Sequence, residues 1–431
     1  MTTVLHWVLA HRIDTGTVFD AAVAVAVIAA VALLVHRPLR RRLPVALAGA
    51  TTGCLVGILA GWLASDVFGV FGASFSYVTR TWIALGFAGV GLAVASVWRS
   101  RWWRVVIAAL SIPIFLGTAA IAVNDDVGLY GTVDDALGVT GYHSAALPQL
   151  RLGVPAPTIA RWQPPRDMPH AGVVEQVRIP GLTSHFATRP AELYLPPAAR
   201  VRNGPALPVI IALSGQPGYP WQMFVEGHAD SIADAYAAAH HGLAPIVVSP
   251  DQLGQPDNNP MCVNSPLGNS ATYITVDVVH WVKTHLRVLA SPRDWAVVGF
   301  SQGATCAVQF AAAYPHLFGV FGAIASELGP TIGSDTIALG FHGSPSAYVA
   351  AQPVTLFTEH RPYAHTIGMF AYGQLDGPYA ESTHALAAAA RNAGVRTSVL
   401  AWPGGTHSWH TAADVLTGMI PSIADRWGLS R

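Results

Sequence analysis

The chain has 431 residues, of which 52% are hydrophobic and only 11% are charged, a composition typical of a chain that is at least partly embedded in a membrane. Its formal net charge is zero, so nothing in the charge balance favours a nucleic-acid partner. The three cysteines form neither a C-x-x-C motif nor a Cys/His cluster with zinc-site spacing, and we expect no metal.

Four apolar runs come before residue 125, at residues 17–35, 43–64, 81–98 and 105–123. Each run has roughly 20 residues, which is enough for a helix to cross the hydrocarbon core of a bilayer. The first run begins too far into the chain, and lacks the small-residue cleavage pattern, for a signal peptide. We therefore predict a four-helix transmembrane domain over residues 1–124; the alternative is a group of buried helices in a soluble domain.

The arginines near these runs are unevenly distributed. Seven arginines lie around the connections that follow the first and third runs, namely Arg37, Arg40, Arg41, Arg42, Arg99, Arg101 and Arg104. On the opposite side, Arg12 and Arg80 lie close to the runs. Because positively charged loops remain in the cytoplasm, the pattern predicts that both chain termini are extracytoplasmic.

The middles of the four runs contain no Asp, Glu, Lys or Arg, whereas a transporter or proton relay usually needs one. We interpret the runs as a membrane anchor; a guide for a lipid substrate and a partner-binding surface are the alternatives. Gly53, Gly57 and Gly61 recur at every fourth position of the second run and favour close packing of two helices.

Residues 125–170 differ in composition from the runs before them. Four aspartates lie near their start, Asp125, Asp126, Asp134 and Asp135, and six prolines follow, Pro148, Pro155, Pro157, Pro164, Pro165 and Pro169. Proline-rich segments are extended and semi-rigid. We predict an extracytoplasmic linker here and a second domain over residues 171–431.

From residue 171 onwards, strand-like and helix-like segments alternate. Strands are predicted at residues 173–179, 191–195, 207–213, 244–249, 320–325, 366–372 and 396–401, with a further strand leading up to residue 299. Helices are predicted at residues 232–240, 272–286, 304–313, 346–351, 378–392 and 408–426. Such alternation predicts an α/β fold whose sheet is mostly parallel and is covered by helices on both faces.

The five residues from Gly299 to Gly303 fit the motif G-x-S-x-G, with Ser301 at its centre. The β-branched Val297 and Val298 precede the motif and favour a strand, and an alanine-rich, helix-favouring segment follows it. A strand, a sharp turn and a helix present such a serine as a nucleophile. The alternative is a glycine-rich turn whose serine has no chemical role.

A serine nucleophile needs a base, and the base needs an orienting carboxylate, in the chain order serine, acid, histidine. Asp376 follows the predicted strand 366–372, and His407 lies in a glycine-rich loop after the predicted strand 396–401. Both lie beyond the carboxyl ends of strands, where α/β sheets place their active sites. We predict Asp376 as the acid and His407 as the base. The other candidates are Glu381, Glu327 and Asp251 for the acid and His410 for the base.

Two backbone N–H groups should stabilise the oxyanion that forms in such a reaction. One is expected from Gln302, the residue after the nucleophile. The other is expected from the loop after the predicted strand 207–213, where we choose Gln216 because Pro217 has no N–H to donate.

Residues 171–431 resemble the Putative esterase family of α/β-hydrolases, which includes esterase D-type hydrolases and mycolyltransferases of the antigen 85 type. The resemblance rests on four stretches, Leu213-Ser-Gly-Gln216, Gly299-Phe-Ser-Gln-Gly303, Gly373-Gln-Leu-Asp376 and Gly404-Gly-Thr-His-Ser-Trp409. The multi-span N-terminus resembles a membrane-anchored branch found in actinobacterial envelopes. The resemblance implies an α/β-hydrolase fold and a triad that needs no cofactor. Ser214 stands where the mycolyltransferases carry an acidic residue that helps to bind a sugar.

These features predict a membrane-anchored, extracytoplasmic serine esterase or acyltransferase that acts on a lipid or glycolipid ester of the cell envelope. The chemistry would pass through an acyl-enzyme on Ser301. One alternative is a non-catalytic binding module, because related folds can lose their triad. Another is a membrane transport or signalling protein with an accessory domain, against which the uncharged middles of the runs argue.

Two of the cysteines lie in the predicted second domain. Cys262 lies in the loop before the predicted helix 272–286, and Cys306 lies near the start of the helix after Ser301. An extracytoplasmic location permits a disulfide. We predict a bond between Cys262 and Cys306; two buried free thiols are the alternative.

Overall fold

The computed structural model of the chain describes residues 11–13, 16–35, 39–68, 75–98, 100–137, 157–360, 362–363 and 365–430. The chain divides into two compact units, Met1–Thr140 and Gly141–Arg431. Two prolines of the predicted linker, Pro148 and Pro155, lie outside the described residues.

The first unit is helical. Its helices are α1 (Gly16–Leu34), α2 (Leu39–Trp62), α3 (Tyr77–Ser96), α4 (Trp102–Val127) and the short α5 (Val133–Ala136), and a π-helical turn, Leu63–Val67, continues α2. The first four helices are long and apolar enough to cross a membrane, as predicted. Helix α4 extends beyond the predicted run and includes Asp125 and Asp126, which we had assigned to the linker.

Helices α2 and α3 approach each other closely because glycines line their contact. A Cβ atom at Gly53 would lie 2.1 Å from the carbonyl oxygen of Phe87, and one at Gly57 would lie 2.9 Å from the Cα atom of Ala84. Small residues allow helix backbones to pack at this distance. Gly61 differs, since a Cβ atom there would have ordinary contacts at 3.9 Å.

Arg104, one of the seven arginines behind the predicted orientation, is buried at the start of α4. Its guanidinium donates hydrogen bonds to the carbonyl oxygens of Leu33 (2.7 Å) and Val35 (3.3 Å), at the carboxyl end of α1. These carbonyl groups have no partner within the helix, so the arginine satisfies them and complements the helix dipole. Arg37 and Arg99 lie outside the described residues, and the orientation stays a prediction.

The second unit is an α/β fold. Its strands are β1 (Val173–Val177), β2 (Ala191–Leu195), β3 (Val209–Leu213), β4 (Ile246–Ser249), β5 (Asn264–Ser265), β6 (Gly268–Asn269), β7 (Trp295–Phe300), β8 (Val320–Ile324), β9 (Ile367–Gly373) and β10 (Arg396–Trp402). Its α-helices are α6 (Gln222–Val225), α7 (Ala229–Ala239), α8 (Ser270–Thr272), α9 (Val279–His285), α10 (Gln302–Ala313), α11 (Pro345–Ala350), α12 (Pro353–Glu359), α13 (Gly377–Asn392) and α14 (Trp409–Arg426). Short 3-10 turns lie at Ile159–Arg161, Pro197–Ala199 and Pro292–Asp294, and π-helical turns lie at Tyr273–Val278 and Thr336–Gly340.

Eight strands form one sheet in the order β1-β2-β4-β3-β7-β8-β9-β10. Strand β2 is antiparallel to β1 and β4, and all the other neighbours are parallel. Every residue of β3, β7 and β8 is buried, as expected for parallel strands that helices cover on both faces. The predicted fold class is confirmed.

The loop-rich stretch between β8 and β9 contains more helix than we predicted. Helix α11 matches the predicted short helix, and it begins at Pro345 with the Ser344 hydroxyl accepting a hydrogen bond from the backbone N–H of Ala347. Helix α12 was not predicted; it also begins at a proline, Pro353, and buries Phe357.

Candidate active site

The nucleophile turn connects β7 to α10. Ser301 has φ 55° and ψ −120°, a left-handed backbone conformation that is strained for a residue with a side chain. A Cβ atom at Gly299 would lie 2.2 Å from the carbonyl carbon of Gly303, and one at Gly303 would lie 2.2 Å from the carbonyl oxygen of Leu213. Both glycines of the motif are therefore sterically required, and the turn holds the serine at the carboxyl edge of the sheet.

The structure brings the three predicted triad residues together. The Nε2 atom of His407 lies 2.9 Å from Oγ of Ser301, and its Nδ1 atom lies 2.9 Å from Oδ2 of Asp376. With its proton on Nδ1, the imidazole donates to the carboxylate and accepts from the serine hydroxyl. This is the arrangement in which a histidine can take the serine proton.

Backbone contacts fix the two loops that carry Asp376 and His407. The N–H of Leu375 donates to the carbonyl oxygen of Gly405 at 2.8 Å, and the N–H of Gln374 donates to that of Trp402 at 2.9 Å. A Cβ atom at Gly373 would lie 2.5 Å from the carbonyl group of Gly405. The loops after β9 and β10 thus touch backbone to backbone, which sets the distance between acid and base.

The start of α14 supports His407 from the other side. The Ser408 hydroxyl accepts a hydrogen bond from the N–H of Thr411 at 3.2 Å and caps the helix. The Thr411 hydroxyl in turn accepts from the N–H of Thr406 at 3.1 Å. The residues on both sides of His407 are therefore held by the first turn of α14.

The rival candidates have other surroundings. Asp251 is buried and forms an ion pair of 2.6 Å with Arg189. Glu381 is exposed on α13, and His410 is exposed on α14. Glu327 lies beyond the end of β8, and its backbone N–H donates to the Thr305 hydroxyl at 3.0 Å. Within the described part of the chain, the hydrogen-bonding partner of the His407 Nδ1 atom is Asp376.

The two segments expected to donate to the oxyanion lie beside Ser301 and are linked by Gln252. A Cβ atom at Gly215 would lie 3.5 Å from the Cβ atom of Ser301, so the loop after β3 passes next to the nucleophile. The buried Gln252 amide donates to the carbonyl oxygen of Ser214 at 2.7 Å and to Oε1 of Gln302 at 3.2 Å. The assignment of the Gln216 and Gln302 N–H groups as the donors stays a prediction.

Cys262 and Cys306 form a disulfide, with their Cα atoms 5.4 Å apart. Cys306 is buried in α10, and the bond attaches the loop around Cys262 to that helix. The same loop contacts the residue after the nucleophile, since the Gln302 amide donates to Oδ1 of Asn259 at 3.0 Å. The loop and the disulfide thus immobilise the Gln302 side chain.

Two aromatic residues that the sequence analysis did not single out as site residues pack on the histidine. The ring of Tyr379 stacks on His407 with ring centres 4.0 Å apart, and Phe300 lies 5.1 Å away. Burial, together with the negative charges of Glu327 and Asp376, raises the pKa of the Tyr379 hydroxyl. Its position three residues after Asp376, in the first turn of α13, was the available sequence signal.

The ionisation of Glu327 is also shifted. Burial raises the pKa of its carboxyl to about 8, and a hydrogen bond from Thr305 opposes the shift. Part of its surface nevertheless remains accessible to solvent.

Over the residues that the structure describes, no group of three His, Cys, Asp or Glu side chains is arranged to hold a metal ion.

Comparisons with known proteins agree with the fold. The sequence model of the family described as Putative esterase matches residues 187–417. An uncharacterized protein of Corynebacterium glutamicum is 30% identical over 358 residues, which cover 80% of this chain and 82% of the relative.

Two solved structures show the same architecture. A ferulic acid esterase superposes with a TM-score of 0.50 at 17% identity, covering 60% of this chain and 98% of its own. An S-formylglutathione hydrolase from Agrobacterium tumefaciens superposes with a TM-score of 0.50 at 16% identity, covering 60% of this chain and 96% of its own. At these identities the likeness concerns the fold.

Proposed function

The chain belongs to the Putative esterase family, and from this premise we propose that it is a membrane-anchored serine esterase or acyltransferase. Ser301 is the nucleophile, His407 the base and Asp376 the carboxylate that orients the base. The observation that carries the proposal is the pair of 2.9 Å contacts that join His407 to Ser301 and to Asp376. No cofactor takes part in the proposed chemistry.

In the first half of the reaction, Oγ of Ser301 attacks the carbonyl carbon of an ester while Nε2 of His407 takes the serine proton. The negative charge that develops on the carbonyl oxygen is stabilised by the N–H groups of Gln216 and Gln302. The bond from the carbonyl carbon to the alcohol oxygen then breaks, and Nε2 returns the proton to the departing alcohol. Asp376 holds the imidazole and stabilises its protonated form.

In the second half, a new acceptor removes the acyl group from Ser301. Water or an alcohol gives its proton to Nε2 and attacks the acyl carbon, after which Oγ leaves and recovers a proton. Water yields a carboxylic acid, whereas a sugar or lipid hydroxyl yields a new ester. We propose a lipid or glycolipid ester of the cell envelope as the substrate, because four helices able to cross a membrane precede the catalytic unit.

An active-site probe tests the chemistry. A fluorophosphonate reacts with activated serines, and we expect it to label the full-length protein in detergent at Ser301 and to leave Ser301→Ala unlabelled. Hydrolysis of a soluble ester should depend on the same residue. Folded wild-type protein that reacts with neither reagent would instead support the non-catalytic binding module.

A reporter fusion tests the location. The arginine distribution predicts that both termini lie outside the cytoplasm. A reporter that works only in extracytoplasmic space should therefore be active when it is attached after Arg431. A reporter that requires the cytoplasm should stay inactive at the same position. The reverse result would remove the proposed envelope substrate while leaving the triad chemistry intact.

A further inference from the structure

Five neighbouring strands of the sheet, β3, β7, β8, β9 and β10, end at the same edge as the proposed active site. Four of them lead to residues with a role in the proposed chemistry, Gln216, Ser301, Asp376 and His407. The middle strand, β8, has no such role so far. It leads instead to Glu327, between the strand of the nucleophile and the strand of the acid.

Hydrogen bonds attach the segment around Glu327 to both of its neighbours. The Thr305 hydroxyl accepts from the N–H of Glu327 at 3.0 Å and donates to the carbonyl oxygen of Ser301 at 3.3 Å. The Ser382 hydroxyl, on the helix that follows Asp376, donates to the carbonyl oxygen of Ser326 at 2.5 Å. The backbone of Glu327 is therefore fixed relative to the nucleophile and to α13.

Tyr379 lies beside the proposed base, His407. Burial and the charges of Glu327 and Asp376 raise the pKa of the Tyr379 hydroxyl, and the Ser301 side chain opposes this shift. The tyrosine ring covers one face of His407 at 4.0 Å. Because this ring packs on His407, whose Nε2 atom lies 2.9 Å from Oγ of Ser301, Tyr379 borders the space around these two atoms.

The reaction determines which part of the substrate occupies that space. The alcohol oxygen of the ester must be bonded to the carbon that Oγ attacks, and it must receive its proton from Nε2. The expected oxyanion donors come from the loop after β3 and the start of α10, whereas β8 lies on the opposite side of β7. The alcohol portion of the substrate therefore leaves along the side where Tyr379 and Glu327 lie.

Both residues are suited to an uncharged alcohol. At neutral pH Glu327 keeps its proton, because burial raises its pKa to about 8, and a neutral carboxyl group both donates and accepts hydrogen bonds. The Tyr379 hydroxyl also remains protonated, because burial raises its pKa. Leu328, the next residue, is 50% exposed, so this segment borders solvent.

We propose that Glu327 and Tyr379 form the subsite for the alcohol portion of the ester and favour an alcohol that carries a further free hydroxyl group. The proposal rests on the proposed function. The covalent step itself is unchanged: the bond from Oγ to the acyl carbon forms, the bond to the alcohol oxygen breaks, and the proton passes from Ser301 through Nε2 to the alcohol. The two residues contact the part of the alcohol that does not react.

A substrate-preference ratio tests the subsite. We would measure kcat/KM of the full-length protein at pH 6.5 for glyceryl monobutyrate and for ethyl butyrate, which share their acyl group and differ in the hydroxyl groups of the alcohol. The ratio of the two values cancels any loss of active protein. Wild type should prefer the glyceryl ester by about tenfold or more, the effect of a hydrogen bond that only this alcohol makes.

The variants separate hydrogen bonding from charge and from structure. Glu327→Leu should lower the preference about tenfold, and Tyr379→Phe should lower it by roughly three- to tenfold while keeping the stacked ring. Glu327→Gln imitates the protonated carboxyl and should keep most of the preference. Glu381→Gln, an exposed acid on the helix of Tyr379, is the matched control and should leave the ratio unchanged.

The outcomes are distinguishable. A wild-type ratio near one, or a ratio that neither Glu327→Leu nor Tyr379→Phe changes, would overturn the subsite although both esters are cleaved. Equal losses for Glu327→Gln and Glu327→Leu would also overturn it, because the carboxylate charge would then be what matters. The proposed function itself fails if wild type cleaves neither ester. It also fails if wild type cleaves the two esters no faster than Ser301→Ala does.

Discussion

The outward-facing side chains of the helical unit are apolar, whereas those of the α/β unit are mostly polar. Ile28, Leu55 and Leu110 are 67%, 62% and 62% exposed on α1, α2 and α4. The buried positions of the same helices include Arg104 and Thr118, which donate to backbone carbonyl groups of α1. Apolar groups outside and satisfied polar groups inside are what a hydrocarbon surrounding requires.

The α/β unit has the opposite arrangement. Every residue of the parallel strands β3, β7 and β8 is buried. Three polar side chains, those of Ser301, Asp376 and His407, meet at one edge of the sheet. Buried apolar strands are the pattern of a domain surrounded by water. The difference supports our proposal that lipid surrounds the helical unit and that water surrounds the α/β unit, which carries the proposed chemistry.

The sharpest test of that assignment is to remove the nucleophile. Ser301→Ala should stay folded, because the change deletes one oxygen, and its turnover of p-nitrophenyl butyrate should fall by about four powers of ten or more. His407→Ala should cost about as much, since a serine without its base is a weak nucleophile at neutral pH. Asp376→Asn should cost somewhat less, because mainly the tautomer and orientation of the imidazole suffer.

Two further measurements decide whether these residues act as one unit. The triple variant should be little slower than Ser301→Ala alone. Glu381→Gln and His410→Ala, both at exposed positions, should stay near wild type. An inactive Glu381→Gln together with an active Asp376→Asn would show that the acid is wrongly assigned, while the serine and the histidine could stand.

A second test removes the disulfide of the α/β unit, because the described cysteine of the helical unit, Cys54, is free. The bond between Cys262 and Cys306 closes a loop across 44 residues. Cys262→Ala should destabilise the α/β unit by about 3–4 kcal/mol in the loop-entropy account, as measured by hydrogen exchange of the β7 and α10 amides. Cys54→Ala, at the free cysteine of α2, is the control and should leave those amides unchanged. Protection that survives Cys262→Ala would mean that packing alone holds the loop.

A third test places the same charge on the outside of each unit. Leu55→Arg, in the middle of α2, should cost about 2.5–3.5 kcal/mol of membrane insertion, measured as the fraction of chain that resists alkaline extraction. Leu400→Arg, at a 44% exposed position of β10, should change the stability of the α/β unit by no more than about 0.5 kcal/mol. If α2 tolerated the arginine as well as β10 does, the outside of the helical unit would face water after all.

Much of the fold followed from local patterns. The eight strands of the main sheet were predicted because each is a short apolar or alternating run. The G-x-S-x-G motif and the chain order of Asp376 and His407 predicted the three residues that the structure brings into contact, and their catalytic roles stay a proposal. Helix α12 was missed because it has seven residues and lies in a long loop-rich stretch. Its single buried turn offers too few positions for a helical period to be visible.

Contacts between distant segments could not be read from the sequence. Tyr379 and Glu327 are 52 positions apart, and only the pairing of β8 with β9 brings them to one side of Ser301. Gln252 joins two segments that follow different strands, β3 and β7, and the sequence around Gln252 contains no motif. Gly61 shared the spacing of Gly53 and Gly57 but lies where the helices have already separated, which spacing alone does not reveal.

The smallest expected effect concerns a carboxyl group that is buried in the sheet of the α/β unit. Glu192 on β2 is 1% exposed, and its Oε2 atom has no hydrogen-bond partner among the described residues. Burial raises the pKa of its carboxyl from 4.5 to about 7, and a hydrogen bond from Gln176 opposes the shift. Between these two values the folded chain keeps a proton that the unfolded chain releases, so the free energy of unfolding should fall as the pH rises through this window.

Glu192→Gln removes the ionisable group and keeps the shape of the side chain. The variant should match wild type near pH 4 and should be more stable above pH 7, by on the order of 1 to 3 kcal/mol. Thermal unfolding of both proteins across this pH range measures the difference, with Glu381→Gln, which changes an exposed acid, as the control. A stability difference that does not grow with pH would mean that Glu192 ionises as easily in the folded chain as in the unfolded one. The strand would then have to let water reach the carboxyl, contrary to its burial between β1 and β4.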